Sequence, residues 1–186
     1  MKAPALAAAL VACLAAGCAT ETSRQRVPEP TYAAAANSEL VATNYRAADA
    51  LMAHFGGTPA SGPLIVATVV NIDALELSST LGRMISEQVS ARFSQRGWLM
   101  VEMKLRGSIY MRRGEGELIL TREISDIART NQAQAVIVGS YAVGATAVYV
   151  NLKIVQPVSN TVLSAYDYVL PANQEIRTML GRNTSR

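Results

Sequence analysis

Two stretches constrain this chain more than any others, "PLIVATVVNI" at 63–72 and "AQAVIVGSYAVG" at 133–144. Both are short, rich in Val and Ile, and bounded by turn formers. Successive side chains of a strand point to opposite faces, so a run that is apolar at both parities suits a strand covered on both sides and central in its sheet. Helical periods separate these runs. Leu40, Val41, Tyr45, Ala48, Leu51, Met52 and Phe55 recur at three- and four-residue spacings behind a Ser38 cap, until Gly56-Gly57 and the prolines at 59 and 63 stop them. Leu77, Leu81, Met84, Ile85, Val89 and Phe93 form a second stripe, with Arg83, Glu87, Ser90 and Gln95 opposite. Gly97 ends it, in a place that tolerates left-handed backbone.

"WLMVEMKL" (98–105) reads as a further strand and 106–118 as the one long irregular connection. A short helix then runs to about Asn131, with Glu123 in the first turn where the helix dipole favours it. In "TAVYVNLKIV" (146–155), Val148, Val150, Leu152 and Ile154 alternate with Tyr149, Asn151 and Lys153, which predicts one covered and one wet face. "PVSN" turns the chain into "TVLSAYDYVLP" (161–171), and a last helical turn falls around Ile176–Leu180. The order α-β-α-β-α-β-β-β predicts a single α/β (α+β) domain, a mixed sheet with helices packed on one side. Its expected core is Ile65, Val66, Val69, Leu81, Ile85, Val89, Val101, Ile127, Val136, Ile137, Val138, Val150 and Leu152.

The N-terminal part follows different rules. Lys2 is followed by an uncharged Ala/Leu/Val segment to residue 16, the pattern of a secretory signal peptide, and too short to span a bilayer, which takes ~20 residues. Both cysteines sit at its end, in "VACLAAGCATETSRQR" (11–26). Ala15-Ala16-Gly17 before Cys18 resembles a lipobox, after which the cysteine is acylated and becomes the first mature residue. Ala15 stands where a large aliphatic residue is usual, with Leu14 one place too early. The other reading is an ordinary signal peptide cut near Ala16 or Ala19 that leaves Cys18 a free thiol. In either case Cys13 is discarded, so no disulfide forms, and one cysteine with the lone His54 cannot supply four zinc ligands. The expected organisation is a signal peptide over 1–17, a lipidated Cys18 and linker over 18–36, a domain over 37–181 and a tail over 182–186. Pro28 and Pro30 make the linker an extended spacer. Acyl chains, at ~0.8 kcal/mol per buried CH₂, would tether the domain to a membrane. Ala19, in place of the aspartate associated with inner-membrane retention, favours the outer one.

Chemistry is scarce. Formal charge is +3 (17 basic, 14 acidic) and falls to +2 once Lys2 is removed, and no basic run with interleaved aromatics points to nucleic acid. His54, near the end of the first helix, suits the helix dipole there. No G-x-S-x-G elbow, Walker loop or G-x-G-x-x-G is present, and "GEGE" (114–117) would present carboxylates to any phosphate. No catalytic residue, metal site or cofactor is expected. The connection 106–118 carries Tyr110, Arg112 and Arg113, whose aromatic and guanidinium character suits a contact with a protein partner.

Several pieces together resemble the FlgO-type family: Ser78-Ser79-Thr80-Leu81-Gly82-Arg83, Glu102-Met103-Lys104-Leu105-Arg106, Gly116-Glu117 before Thr121-Arg122-Glu123, and Asp167-Tyr168. The resemblance runs from about Tyr45 to Pro171. It implies a non-enzymatic outer-membrane lipoprotein or periplasmic protein of flagellated bacteria, contributing to flagellar stability and motility at an outer-membrane ring of the basal body. Other basal-body or envelope proteins, and further copies in a ring, would be its partners. The element scheme is also similar, at the level of fold, to TolB N-terminal and curli-secretion lipoprotein modules. From that comes a second expectation, an envelope lipoprotein that regulates a cell-wall synthase or forms part of a secretion assembly.

Overall fold

The computed structural model describes residues 38–75, 77–101 and 122–181, all within the compact unit Ser38–Arg186. The elements are α1 (Glu39–His54), a 3-10 turn (Pro59–Ser61), β1 (Leu64–Val66), β2 (Val70–Asn71), α2 (Thr80–Gln95), β3 (Met100–Val101), α3 (Arg122–Thr130), β4 (Ala135–Val143), β5 (Ala147–Val155), β6 (Val162–Pro171) and α4 (Gln174–Met179). They build one mixed sheet in the order β3-β1-β4-β5-β6, with β2 continuing the line of β1 along β4. β1 is parallel to β3 and β4, while β4, β5 and β6 form an antiparallel meander. The domain is thus the mixed α/β fold that the element order predicts.

The stretch 63–72 forms two strands instead of one. Between them the Val69 N–H donates to Ser86 Oγ at 2.8 Å, and the Val69 carbonyl accepts from Ser78 Oγ at 2.8 Å. Ser86 Oγ also donates towards the carbonyls of Ala67 and Gly82. Buried backbone groups must be paired, and here Ser86 of α2 and Ser78, just ahead of that helix, pair the Val69 groups that leave the ladder. Such close approach needs Gly82, since a Cβ there would lie 2.2 Å from the Val69 carbonyl oxygen. Ser79 caps α2 by accepting from Gly82 N at 3.2 Å. Leu77 therefore stands before the helix and is exposed, as is Met84, so neither joins the core stripe expected of them. Ser38 occupies the N-cap position of α1 without a side-chain capping bond. Gly97 takes the left-handed conformation at φ +85°.

Helices cover both faces, which corrects the expected one-sided arrangement. Leu64, Ile137, Val150, Leu152 and Ile154 pack against Leu51, Leu81, Ile85, Val89 and Phe93 of α1 and α2, with Ile176 of α4 on the same side. Ile65, Val136 and Val138, of opposite parity, pack against Ile124 and Ala128 of α3. Two-sided burial of β1 and β4 requires such a helix on the far face. Of the expected core, Val66, Val101 and Ile127 are only partly buried, at the margins of these two layers. The others are buried.

Candidate functional site

Among the described residues, α3 covers only part of its face of the sheet. Beyond α3 the meander carries a cross-strand row, with Ala142, Tyr149 and Val169 in register and Ile72 alongside, since Ile72 N donates to the Tyr141 carbonyl at 2.9 Å. Ile72, Tyr149 and Val169 are 53%, 57% and 50% exposed. The next row is polar: Ser140, Asn151 and Asp167 lie in register, and Asn151 Nδ2 donates to Asp167 Oδ1 at 2.7 Å. Together the rows line a shallow open depression of about 320 Å³. Single exposed apolar side chains are ordinary, but an apolar row on a rigid sheet is a surface built for contact. Its makeup, three apolar side chains, a tyrosine and one carboxylate held by an amide, suits binding better than bond-making.

The opposite face of β6 locks the domain together. Tyr168 OH donates to Asn44 Oδ1 at 2.5 Å, Asn44 Nδ2 donates to Gln88 Oε1 at 2.6 Å, and Ser164 Oγ donates to the Leu51 carbonyl at 3.0 Å. Burial pushes the Tyr168 phenol well above its ordinary range, so it stays a donor. Asp167 and Tyr168, adjacent in sequence, thus serve opposite faces. On the outer side of α1 and α2, Arg92 holds Asp49 through Nη2–Oδ2 at 2.7 Å and Nε–Oδ1 at 3.0 Å, and Arg96 Nε adds 3.0 Å to Oδ1. Hydrogen bonding from Arg92 is the chief cause that lowers the Asp49 carboxyl below its ordinary range.

Cys18, Tyr110, Arg112 and Arg113 lie outside the described residues, as do Glu102–Arg106 and Gly116-Glu117. His54 is exposed, its Nδ1 2.9 Å from the Ala50 carbonyl one turn back. Among the described residues no three His, Cys, Asp or Glu side chains gather as metal ligands, and no helix is long and apolar enough to cross a membrane. Sequence reasoning found the wet face of β5 but not the row across it. The available signal was Val169, an apolar residue at the parity that Asp167 marks as exposed.

The E. coli LpoB C-terminal domain superposes with a TM-score of 0.52 at 15% identity, over 72% of this chain and 98% of that one. The Salmonella enterica LpoB C-terminal domain gives 0.50 at 13% identity over the same shares. The sheet and its helices therefore follow the same α+β plan as those domains. By sequence, residues 45–175 match the profile of the FlgO protein family, and the chain belongs to that family. No curated protein matches it in sequence.

Proposed function

We propose that this chain is a non-enzymatic lipoprotein, anchored in the outer membrane through acylated Cys18, that contributes to flagellar assembly or stability and hence motility within a basal-body outer-membrane ring. Family membership supports the setting, and the observation that carries the mode of action is the exposed row Ile72–Ala142–Tyr149–Val169. An apolar surface on a rigid sheet acts by holding a neighbour. Tyr110, Arg112 and Arg113 would add a second contact from the 106–118 connection, by the recognition logic of loops on a rigid scaffold. Basal-body or envelope proteins, and further copies of the chain, are the partners this reading requires.

Deletion of the gene, followed by a swimming assay and electron microscopy of flagella, tests the reading. Lost or unstable flagella support it. Normal swimming with altered sensitivity to wall antibiotics would overturn it in favour of a cell-wall or secretion role. Cys18→Ala tests the anchor: the variant should leave the membrane fraction and lose palmitate labelling, and a variant still in that fraction would place the anchor elsewhere.

A further inference from the structure

Among the described residues β6 is an edge of the sheet: it pairs only with β5, and between Leu163 and Leu170 its backbone makes no other backbone hydrogen bond. Ten residues long, it has no lysine, and its one proline is its last residue, so it lacks two of the common guards against strand pairing. On the open face it presents Ala165, Asp167 and Val169, each exposed, beside Tyr149 and Asn151 of β5. Asp167 is the strand's only charge, and among the described residues its one hydrogen-bond partner is the Asn151 amide.

We infer that β6 takes up an extended segment of a partner protein as an added strand, one that alternates small side chains with apolar and basic ones. The alternation follows from the two faces. On the helical face α1 lies directly above β6, tied by the Tyr168–Asn44 and Ser164–Leu51 hydrogen bonds, so an incoming strand has room there only for small residues. On the open face a lysine or arginine opposite Asp167 completes a cross-strand ion pair, and apolar residues at the flanking positions cover Val169 and the space over Ala165. The same geometry argues against a second copy of the chain as occupant. Paired strands stand ~4.8 Å apart, whereas packed helices need ~8–10 Å. Two β6 strands continued in one sheet, with their helical layers on the same side, would drive their overlying α1 helices together. A lone strand meets no such obstacle, and main-chain pairing with pockets for alternate side chains is a recurrent mode of peptide recognition.

This deepens the assembly reading, resting on it only for the premise that a protein partner exists. The test uses the full chain in detergent and the peptide Ser-Val-Ser-Lys-Ser-Val-Ser, acetylated and amidated, whose pattern reads alike in both strand directions. Hydrogen exchange of β6 amides should slow on peptide addition, with no comparable protection at the β3 edge. Asp167→Lys should weaken binding about two- to fivefold, and the same peptide with Glu in place of Lys should regain it on that variant. Unchanged exchange in β6 at millimolar peptide, protection confined to another element, or indifference to both charge swaps would overturn the inference. Peptide binding by a chain whose deletion leaves swimming normal would overturn only the flagellar role. Non-motile deletants whose protein ignores the peptide would overturn only the strand addition.

Discussion

Asp167 and Tyr168 show how one step along a strand divides labour. The carboxylate faces open surface, while the phenol reaches under α1 to the fully buried Asn44. Removing only the hydroxyl leaves Asn44 Oδ1 buried without its donor, and an unsatisfied buried acceptor costs ~1–3 kcal/mol. Tyr168→Phe should therefore lower unfolding stability in urea by about that amount, with the fold kept. The phenol's folded pKa is raised, so the neutral form is favoured in the native state. Its contribution is complete below the unfolded value of about 10 and is lost as pH rises towards the higher folded one. Wild type should consequently lose stability above pH 10 along a slope that Tyr168→Phe lacks; parallel alkaline curves would show that the phenol ionises freely in the fold. The pair Asp167-Tyr168 was legible as a motif, but the assignment of one residue to each face was not, because parity has no sign until a partner layer exists.

Between elements, Asp49 clasps α1 to α2 through Arg92 and Arg96, beside Arg92 lying 5.2 Å over the Tyr45 ring. Asp49 is a third exposed and its guanidinium partners are reached by solvent, so water screens part of the attraction. The direction is still clear. A carboxylate whose folded pKa is lowered stabilises fully above the unfolded value of about 3.9 and loses this as pH falls through the folded one. Asp49→Asn should melt below wild type at pH 7, and the gap should close in acid below pH 4. A gap that persists unchanged at pH 2 would mean that packing, and not charge, accounts for it. Neither arginine could be assigned to Asp49 from sequence. The two residue types lie more than forty positions apart, and helical stripes do not tell which helices become neighbours. The serine-rich start of α2 is a similar case: Ser78, Ser79 and Gly82 were visible as a motif, yet their work, pairing and clearing the Val69 backbone, needs the strand beside them.

At the scale of the molecule, helices lie on both faces of the sheet and, among the described residues, part of the α3 face stays exposed; the 106–118 connection is proposed to add Tyr110 and Arg112 as partner contacts. Tyr110→Ala with Arg112→Ala should leave secretion, lipidation and melting temperature intact and reduce swimming. A strain carrying this double variant that swims normally would remove the connection from the mechanism, and loss of swimming together with unfolding would make those residues part of the core. Where the strand regions lie, that β1 and β4 are buried on both faces, that β5 is wet on one, and that the last three strands form a meander were determined by the sequence itself; the break between β1 and β2 was not. Apolar periodicity and turn formers are local properties, and packing overrode them only where Ser78 and Ser86 pair the backbone between β1 and β2. The placing of α3 on the far face was decided only by tertiary structure. The chain passes from β1 through α2 to β3 on one side, then returns across β1 to β4. Parallel crossovers are right-handed, so reversing the direction of travel across the sheet moves the next helix to the other face. Strand order sets that reversal, and strand order arises from contacts between segments far apart in the chain, which no local pattern records.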